Sequence, residues 1–181
     1  SGQEPINLTG TNVYTGGNFT STPAGLDIDS NGTISPSTSS PGTYIVQYDM
    51  PASVCSISPV TTTVTIHPET VGGNALGYLD TETVADARTV LTVCHMGDGT
   101  VFASGYTGTI SEWQVSTNGG VDWSTYSATS NSSITFTNLT DTTLFRAVII
   151  SGNCGVAYSQ RVLLNVIPPD VKPDPVEVSS N

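Results

Sequence analysis

Short segments in which polar and apolar residues alternate recur along the chain, separated by glycine, asparagine and proline. One of them reads GTYIVQYDM, where Tyr44, Val46 and Tyr48 alternate with Ile45 and Gln47. A period of two residues puts alternate side chains on opposite faces of a β-strand. Several such segments at short spacing, with turn residues between them, predict antiparallel β-sandwiches rather than a helical fold.

A segment rich in proline and glycine divides these strands into two groups. It reads HPETVGG and follows the threonine-rich segment TTTVTI. Because such residues interrupt strands, we predict an immunoglobulin-like or cadherin-like repeat in residues 1–68 and an immunoglobulin-like repeat in residues 69–167. The four prolines of residues 168–181 predict a stiff linker toward a next repeat. The predicted fold class is therefore all-β, with two tandem immunoglobulin-like β-sandwich domains joined end to end.

The charge balance restricts the partners of the chain. It has 15 acidic residues against four basic ones, a net charge of −11. Such a chain is repelled by phosphate backbones and by anionic lipid surfaces, so we predict neither nucleic-acid binding nor membrane binding. No apolar run approaches the roughly 20 residues of a membrane-spanning helix. The scarcity of lysine and the abundance of threonine, serine and asparagine indicate an extracellular protein.

Three cysteines are present, Cys55, Cys94 and Cys154. If the strands of the second repeat are lettered in immunoglobulin order, Cys94 ends strand B, Trp113 lies in strand C, and Cys154 lies in the turn between strands F and G. The B–C and F–G connections lie at the same end of such a sandwich, which predicts a Cys94–Cys154 disulfide. A bridge of this kind, which closes a loop of about 60 residues, contributes about 4 kcal/mol. Cys55 would then be free or paired outside the fragment.

Both tryptophans of the chain lie in the segment EWQVSTNGGVDW, residues 112–123. The Asn-Gly-Gly sequence tolerates positive φ and predicts a hairpin. A three-residue loop would set position 113 opposite 125 and Val115 opposite Trp123, so that Trp113 and Trp123 share one face. That face is either the core of the sandwich or, for Trp123 at the end of the domain, a platform that contacts a sugar.

The segment DIDSNG resembles the start of a calcium-binding loop. Asp27, Asp29 and Asn31 alternate, and Gly32 allows a sharp bend. The twelfth position holds Thr38 where such loops have glutamate, and the flanking segments read as strands. We therefore keep two interpretations, a plain β-turn and a calcium site, and predict no other cofactor.

Long strings of the sequence are similar to repeats of very large surface adhesins of gliding and related Bacteroidetes-type bacteria. They are GGNFTSTPAGLDIDSNGTISPSTSSPGTYIVQYDM, CSISPVTTTVTI, SGYTGTISEWQVSTNGGVDWS and NLTDTTLFRAVIISGNC. The resemblance implies export by the type IX secretion system and display on the outer cell surface. It implies immunoglobulin-like repeats that space an adhesive region from the cell, and it assigns no binding residue. The DTT triplet also fits the O-glycosylation pattern of these bacteria at Thr142, or forms an ordinary turn.

Together these features predict a non-catalytic repeat fragment of a surface adhesin for attachment and gliding motility. Serine and threonine are too numerous to single out a nucleophile, and no paired histidine and aspartate motif accompanies them, so we predict that the chain is not an enzyme. The expected partners are neighbouring repeats of the same long chain and surface polysaccharides, and we expect a monomer. The alternative is a carbohydrate-binding accessory module of a secreted polysaccharide-degrading enzyme.

Overall fold

Strands carry nearly all of the regular structure in the part of the chain described by the computed structural model, residues 6–7, 16–50 and 58–169. Cys55 lies outside these ranges, as does most of the predicted proline-rich linker. No helix within them is long and apolar enough to span a bilayer. The chain divides into two units, unit 1 with Ser1–Glu69 and Ser151–Gly155, and unit 2 with Thr70–Ile150 and Val156–Asn181.

Unit 1 contains five described strands in two small antiparallel sheets. One sheet pairs β1 with β3, and the other has the order β2-β4-β5. Their bounds are β1 Ile6–Asn7, β2 Asn18–Thr22, β3 Thr33–Ile34, β4 Gly42–Asp49 and β5 Val60–Ile66.

The core of unit 1 follows from the alternation in β4. Tyr44 and Val46 are each 2% exposed, whereas Ile45 between them is 55% exposed. Tyr44 packs with the buried side chains of Ile34 and Ile66, and its hydroxyl donates to the Ser40 carbonyl oxygen at 2.6 Å. The phenol thus places its ring in the core and satisfies its polar end locally, as a buried tyrosine requires.

Unit 2 contains nine described strands and one short 3₁₀ helix, Val84–Asp86. The strands are β6 Asn74–Leu79, β7 Val90–Cys94, β8 Gly97–Ser104, β9 Thr109–Ser116, β10 Ser124–Ser127, β11 Ser133–Leu139, β12 Thr143–Ile150, β13 Val156–Tyr158 and β14 Val162–Ile167.

These strands form two sheets that enclose one core. The smaller sheet has the order β11-β8-β6, and the larger has the order β10-β9-β12-β14-β7, with β13 also paired to β12. All pairs are antiparallel except β14 with β7. In immunoglobulin lettering, β6, β8 and β11 are strands A, B and E, and β9, β12 and β14 are strands C, F and G. The prediction of an all-β protein with immunoglobulin-like sandwiches is confirmed.

The inner faces of both sheets supply the core of unit 2. Burying each large apolar side chain there stabilises the unit by about 1.5–3 kcal/mol. The fully buried members of this core include Leu91, Val93, Val101, Trp113, Phe145, Ala147, Ile149, Val162 and Leu164.

The predicted Cys94–Cys154 disulfide is wrong for this structure. Cys94 is an exposed free cysteine. It ends β7, which is not strand B but an additional edge strand that runs parallel to β14, with Cys94 opposite Ile167. This end of the sheet is where β12 begins, whereas Cys154 follows the other end of β12. The two cysteines are therefore separated by the length of a strand, far beyond the reach of a disulfide.

Candidate functional site

The outer face of the larger sheet of unit 2 carries an arginine between two aromatic rings. The guanidinium carbon of Arg146 lies 4.1 Å from the centroid of the Trp123 ring and 4.0 Å from that of the Tyr158 ring. We call Trp123, Arg146 and Tyr158, with the adjoining Gln114, the aromatic–arginine strip. A guanidinium over an aromatic face is held by the ring quadrupole, by about 0.5–1 kcal/mol at exposed sites and more where water is excluded.

Strand alternation explains why Arg146 points outward. In the segment TLFRAVII, Phe145 and Ala147 face the core and are fully buried, so the residue between them faces away from it. The antiparallel register sets Gln114 of β9 directly opposite Arg146 and sets Tyr158 of β13 opposite Val148. Side chains from three strands thus lie on one face of the sheet.

Hydrogen bonds fix the orientation of the guanidinium. Arg146 Nε donates to Gln114 Oε1 at 2.9 Å, and Gln114 Nε2 donates to Glu112 Oε1 at 2.7 Å. The Thr125 hydroxyl donates to the other carboxylate oxygen of Glu112 at 2.7 Å. The hydrogen bonds from Thr125 and from Gln114 lower the pKa of Glu112, which keeps this carboxylate ionised.

Partial burial lowers the pKa of Arg146 below its ordinary value. The guanidinium stays cationic at neutral pH, because arginine does not deprotonate in proteins. The strip therefore presents a fixed positive charge.

The turn before β10 holds Trp123 in place. Trp123 Nε1 donates to the Gly120 carbonyl oxygen at 3.1 Å, and the Gly120 amide donates to Ser116 Oγ at 2.9 Å. The Asp122 amide donates to Asn118 Oδ1 at 3.0 Å. Gly120 has φ +90°, a conformation that favours glycine. The indole is thus positioned by its own turn.

The predicted hairpin register is wrong by one residue. Thr125 pairs with Gln114, not with Trp113, and the connection runs from residue 117 to residue 123 instead of over three residues. Since side chains alternate, a one-residue shift moves a residue to the opposite face. Trp113 is accordingly buried in the core, with Nε1 donating to the Asn131 carbonyl oxygen at 3.1 Å, whereas Trp123 packs on the outer face.

The segment proposed for calcium forms a self-contained turn. Asp29 Oδ1 accepts hydrogen bonds from the Asn31 and Thr33 amides, both at 2.8 Å, and the Thr33 amide contributes most to lowering the Asp29 pKa. The Thr38 hydroxyl donates to the Asp27 carboxylate. No group of three or more histidine, cysteine, aspartate or glutamate side chains fit for a metal occurs in the described ranges. Calcium binding at Asp27, Asp29 and Asn31 stays a prediction.

Thr142 lies exposed just before β12. Its hydroxyl donates to Asn165 Oδ1 at 3.3 Å and accepts a hydrogen bond from the Val166 amide at 3.2 Å. The hydroxyl therefore has a structural role in tying the start of β12 to β14. O-glycosylation of Thr142 stays a prediction.

Sequence reasoning singled out Trp123 but missed Arg146, Tyr158 and Gln114. One signal was present, because Arg146 interrupts the apolar strand TLFRAVII at a position where only an outward side chain is tolerated. The contact with Tyr158 had no sequence signal, since it depends on how β13 pairs with β12.

A family model described as a domain of unknown function (DUF8696) matches residues 83–168. No curated protein matches the chain. Among solved structures, domains A168–A170 of titin are similar at 12% identity with a TM-score of 0.39, over 82% of this chain and 48% of that chain. The chain thus spans about half the length of the titin structure. The matched family has no assigned function.

Proposed function

We propose that the chain is a non-catalytic repeat segment of a large bacterial cell-surface adhesin. In this proposal it is exported by the type IX secretion system and displayed on the outer surface, where it serves attachment and gliding. Its partners are neighbouring repeats of the same chain and surface polysaccharides. The observation that carries the proposal is the aromatic–arginine strip, a prearranged binding surface on an immunoglobulin-like sheet.

The chemistry of the strip suits binding rather than bond cleavage. A guanidinium, an amide, an indole and a phenol offer hydrogen bonds, charge and ring faces. A carboxyl group acts as a general acid at neutral pH only when its pKa is raised, and Glu112 beside the strip has a lowered pKa.

The strip is also ordered before any ligand arrives. Arg146 is held by two rings and by Gln114, and Trp123 is held by its turn. Side chains that are already fixed lose little conformational freedom on binding, which otherwise costs about 0.5–1.5 kcal/mol for each long side chain.

The test is antibody labelling of the bacterium that produces the protein. Monovalent Fab fragments raised against residues 1–181 should label intact cells, lose that label after brief treatment with external protease, and reduce attachment and gliding. Fab fragments against another protein displayed on the same surface provide the control for steric hindrance. Cells labelled only after permeabilisation, or Fab-coated cells that attach and glide normally, would contradict the proposal.

A second candidate function is a carbohydrate-binding accessory module of a secreted polysaccharide-degrading enzyme. The observation that favours it is the pair of rings on the sheet face, with Tyr158 50% exposed. Here the same Fab fragments, immobilised on beads, should precipitate polysaccharide hydrolase activity from cell-free medium. Precipitates without such activity, together with surface labelling, favour the adhesin.

A further inference from the structure

We propose that the aromatic–arginine strip, together with Arg161, binds the carboxylates of an acidic polysaccharide that contains uronic acids. The inference rests on the proposed function and deepens it, because it names the ligand class of the surface described above. It follows from the free edge of Arg146, from a second arginine nearby, and from the exposed ring of Tyr158.

The Arg146 guanidinium presents a free edge. Both of its faces are covered by rings and its Nε is bonded to Gln114, so the two terminal amino groups remain. Neither has a hydrogen-bond or ion-pair partner among the residues that the structure describes. A planar guanidinium edge of this kind matches the two oxygens of a carboxylate.

Arg161 lies close to the turn that contains Gly120. A Cβ built on Gly120 would lie 3.0 Å from Arg161 Nη1, 3.4 Å from Leu144 Cδ1 and 3.5 Å from Trp123 Cζ2. The guanidinium of Arg161 therefore reaches the turn that carries Trp123. Two positive groups thus lie along one strip of the outer face.

The electrostatics of the chain make this placement unusual. The protein has a net charge of −11 and only four basic residues. Arg88 is engaged by Glu82 through an ion pair of 2.8 Å, whereas neither Arg146 nor Arg161 has an ion pair within residues 6–7, 16–50 and 58–169. Two cations on one face, neither of them in an ion pair with a described residue, attract an anion locally against a repulsive background.

The exposed ring of Tyr158 restricts the shape of the ligand. Arg146 covers one face of Tyr158, yet half of the tyrosine surface stays exposed. An aromatic ring of this kind combines an apolar face with a polar hydroxyl. A uronic acid fits both features, since its ring carbons pack on an aromatic face while its carboxylate reaches the guanidinium.

The position of the strip disfavours an acidic peptide as the ligand. Arg146 and Gln114 lie on β12 and β9, each of which has hydrogen-bonded neighbours on both sides. A peptide laid on this face would find few backbone groups to pair with its own amides and carbonyls, which are costly to leave unpaired. A sugar chain has no amide backbone, and its hydroxyls point into water.

The experiment measures binding of the full 181-residue chain to immobilised polymers by biolayer interferometry. Polygalacturonate is the probe, and fully methyl-esterified polygalacturonate is the matched control, because it has the same backbone without the charge. Poly-glutamate and dextran sulfate represent an acidic peptide and an anion of other chemistry. We expect polygalacturonate to bind at least about tenfold more tightly than each of the other three.

Three substitutions locate the site. Arg146→Gln and Arg161→Gln should each weaken polygalacturonate binding by about tenfold or more, the effect of losing one charge-assisted hydrogen bond. Arg88→Gln removes the same charge from the Glu82 ion pair and should leave affinity within about twofold. If Arg146→Gln fails to fold by circular dichroism, Arg161→Gln carries the test, because Arg161 is exposed.

Several results would overturn the inference: equal binding to the methyl ester, tighter binding to poly-glutamate or dextran sulfate, or an equal loss of affinity from Arg88→Gln.

Failure of the polysaccharide site is distinguishable from failure of the proposed function. If the chain does not bind polygalacturonate but the Fab fragments block attachment, the binding site is refuted and the adhesin proposal stands. If the chain binds polygalacturonate through Arg146 and Arg161 but is not displayed on cells, the binding site stands and the adhesin proposal fails.

Discussion

Replacing each of the two tryptophans should lower the free energy of unfolding by a different amount. Trp113 is fully buried in the core of unit 2, and Trp123 packs over Arg146 on the outer face. Trp113→Ala should lower the free energy of unfolding by about 3–5 kcal/mol, since it leaves a large cavity and strips the Asn131 carbonyl of its donor. Trp123→Ala is the matched control and should cost clearly less. Urea denaturation of both variants gives the comparison, and equal losses would contradict the assignment of the two faces.

Cys94 should react as an ordinary exposed thiol. In native protein without reductant, iodoacetamide should modify Cys94, and peptide mapping should recover the modified β7 segment. The Cys94→Ser variant should show no label in that segment and should unfold at the same urea concentration, because no disulfide is lost. Recovery of a Cys94–Cys154 linked peptide from non-reduced protein would refute the strand order described for unit 2.

At the scale of the element, two glycines with nearly the same φ allow the cost of a steric clash to be separated from the cost of backbone strain. Gly73 has φ +65° and Gly105 has φ +67°. A Cβ on Gly73 would lie 2.3 Å from the Ser104 carbonyl oxygen, whereas a Cβ on Gly105 would meet nothing within 4 Å. Gly105→Ala should therefore cost only the left-handed backbone penalty, about 1–2 kcal/mol.

Gly73→Ala should cost more than Gly105→Ala, because the backbone before β6 must also move. The measurement is the midpoint of urea denaturation for the two alanine variants beside the parent chain. Equal costs for the two substitutions would mean that the close approach at Gly73 is not present in solution.

The connection between β6 and β7 is held by an ion pair whose strength should depend on pH. Glu82 accepts from Arg88 Nη1 at 3.0 Å and from Arg88 Nη2 at 2.8 Å, and the Leu79 amide also donates to it at 2.9 Å. Arg88, then the Leu79 amide, lower the pKa of Glu82 below its ordinary value of 4.5. A carboxylate with a lowered folded pKa stabilises fully above pH 4.5, and the contribution fades as the pH falls through the folded pKa.

The variant Glu82→Gln should therefore be less stable than the parent at pH 7, and the difference should shrink progressively below pH 4.5. Thermal melts from pH 7 to pH 3 measure it. The effect should be smaller in an Arg88→Gln background, because the two side chains interact directly. A pH-independent difference, or one that grows in acid, would contradict the assigned ion pair.

Individual strands were easier to predict from the sequence than the order in which they pair. The alternation in β4 was readable because Tyr44 and Val46 are both core residues. The strand β6 was harder to read, since Gly77 weakens its pattern. A Cβ at this position would make tight contacts of 3.2 Å with Leu91 Cδ1 and with the Thr100 carbonyl oxygen. The prediction also overlooked β8, which is strand B, so the letter B fell on β7 and produced the wrong disulfide.

The candidate site was predictable only in part, for a related reason. The register of β10 depends on side chains within the turn, where Ser116 and Asn118 accept backbone amides and lengthen the loop. Nothing in a period-two pattern contains this information, and one residue of shift decides which face carries Trp123. Arg146 meets Gln114 through strand pairing between distant segments, and it meets Tyr158 through the register of β13 on β12, neither of which a period-two pattern encodes.

At the scale of the whole molecule, each unit has a hydrophobic core of its own. Tyr44, Ile34 and Ile66 form one cluster, and the cluster around Trp113 and Phe145 forms the other, with no residue in common. A unit with its own core can unfold by itself. Hydrogen exchange read by mass spectrometry in increasing urea should therefore show two sets of peptides, one for each unit, that lose protection at separate concentrations.

Variants placed in each core should test this division. Tyr44→Ala should destabilise unit 1 by about 3–5 kcal/mol and lower the urea concentration at which its peptides exchange, because a buried ring and its hydrogen bond to Ser40 are lost. Ile45→Thr, one residue away on the exposed face of β4, should change stability by no more than about 0.5 kcal/mol. Trp113→Ala should in turn affect the peptides of unit 2. If Tyr44→Ala shifts the peptides of both units together and equally, the two cores unfold as one cooperative structure, and the division into two units would have to be abandoned.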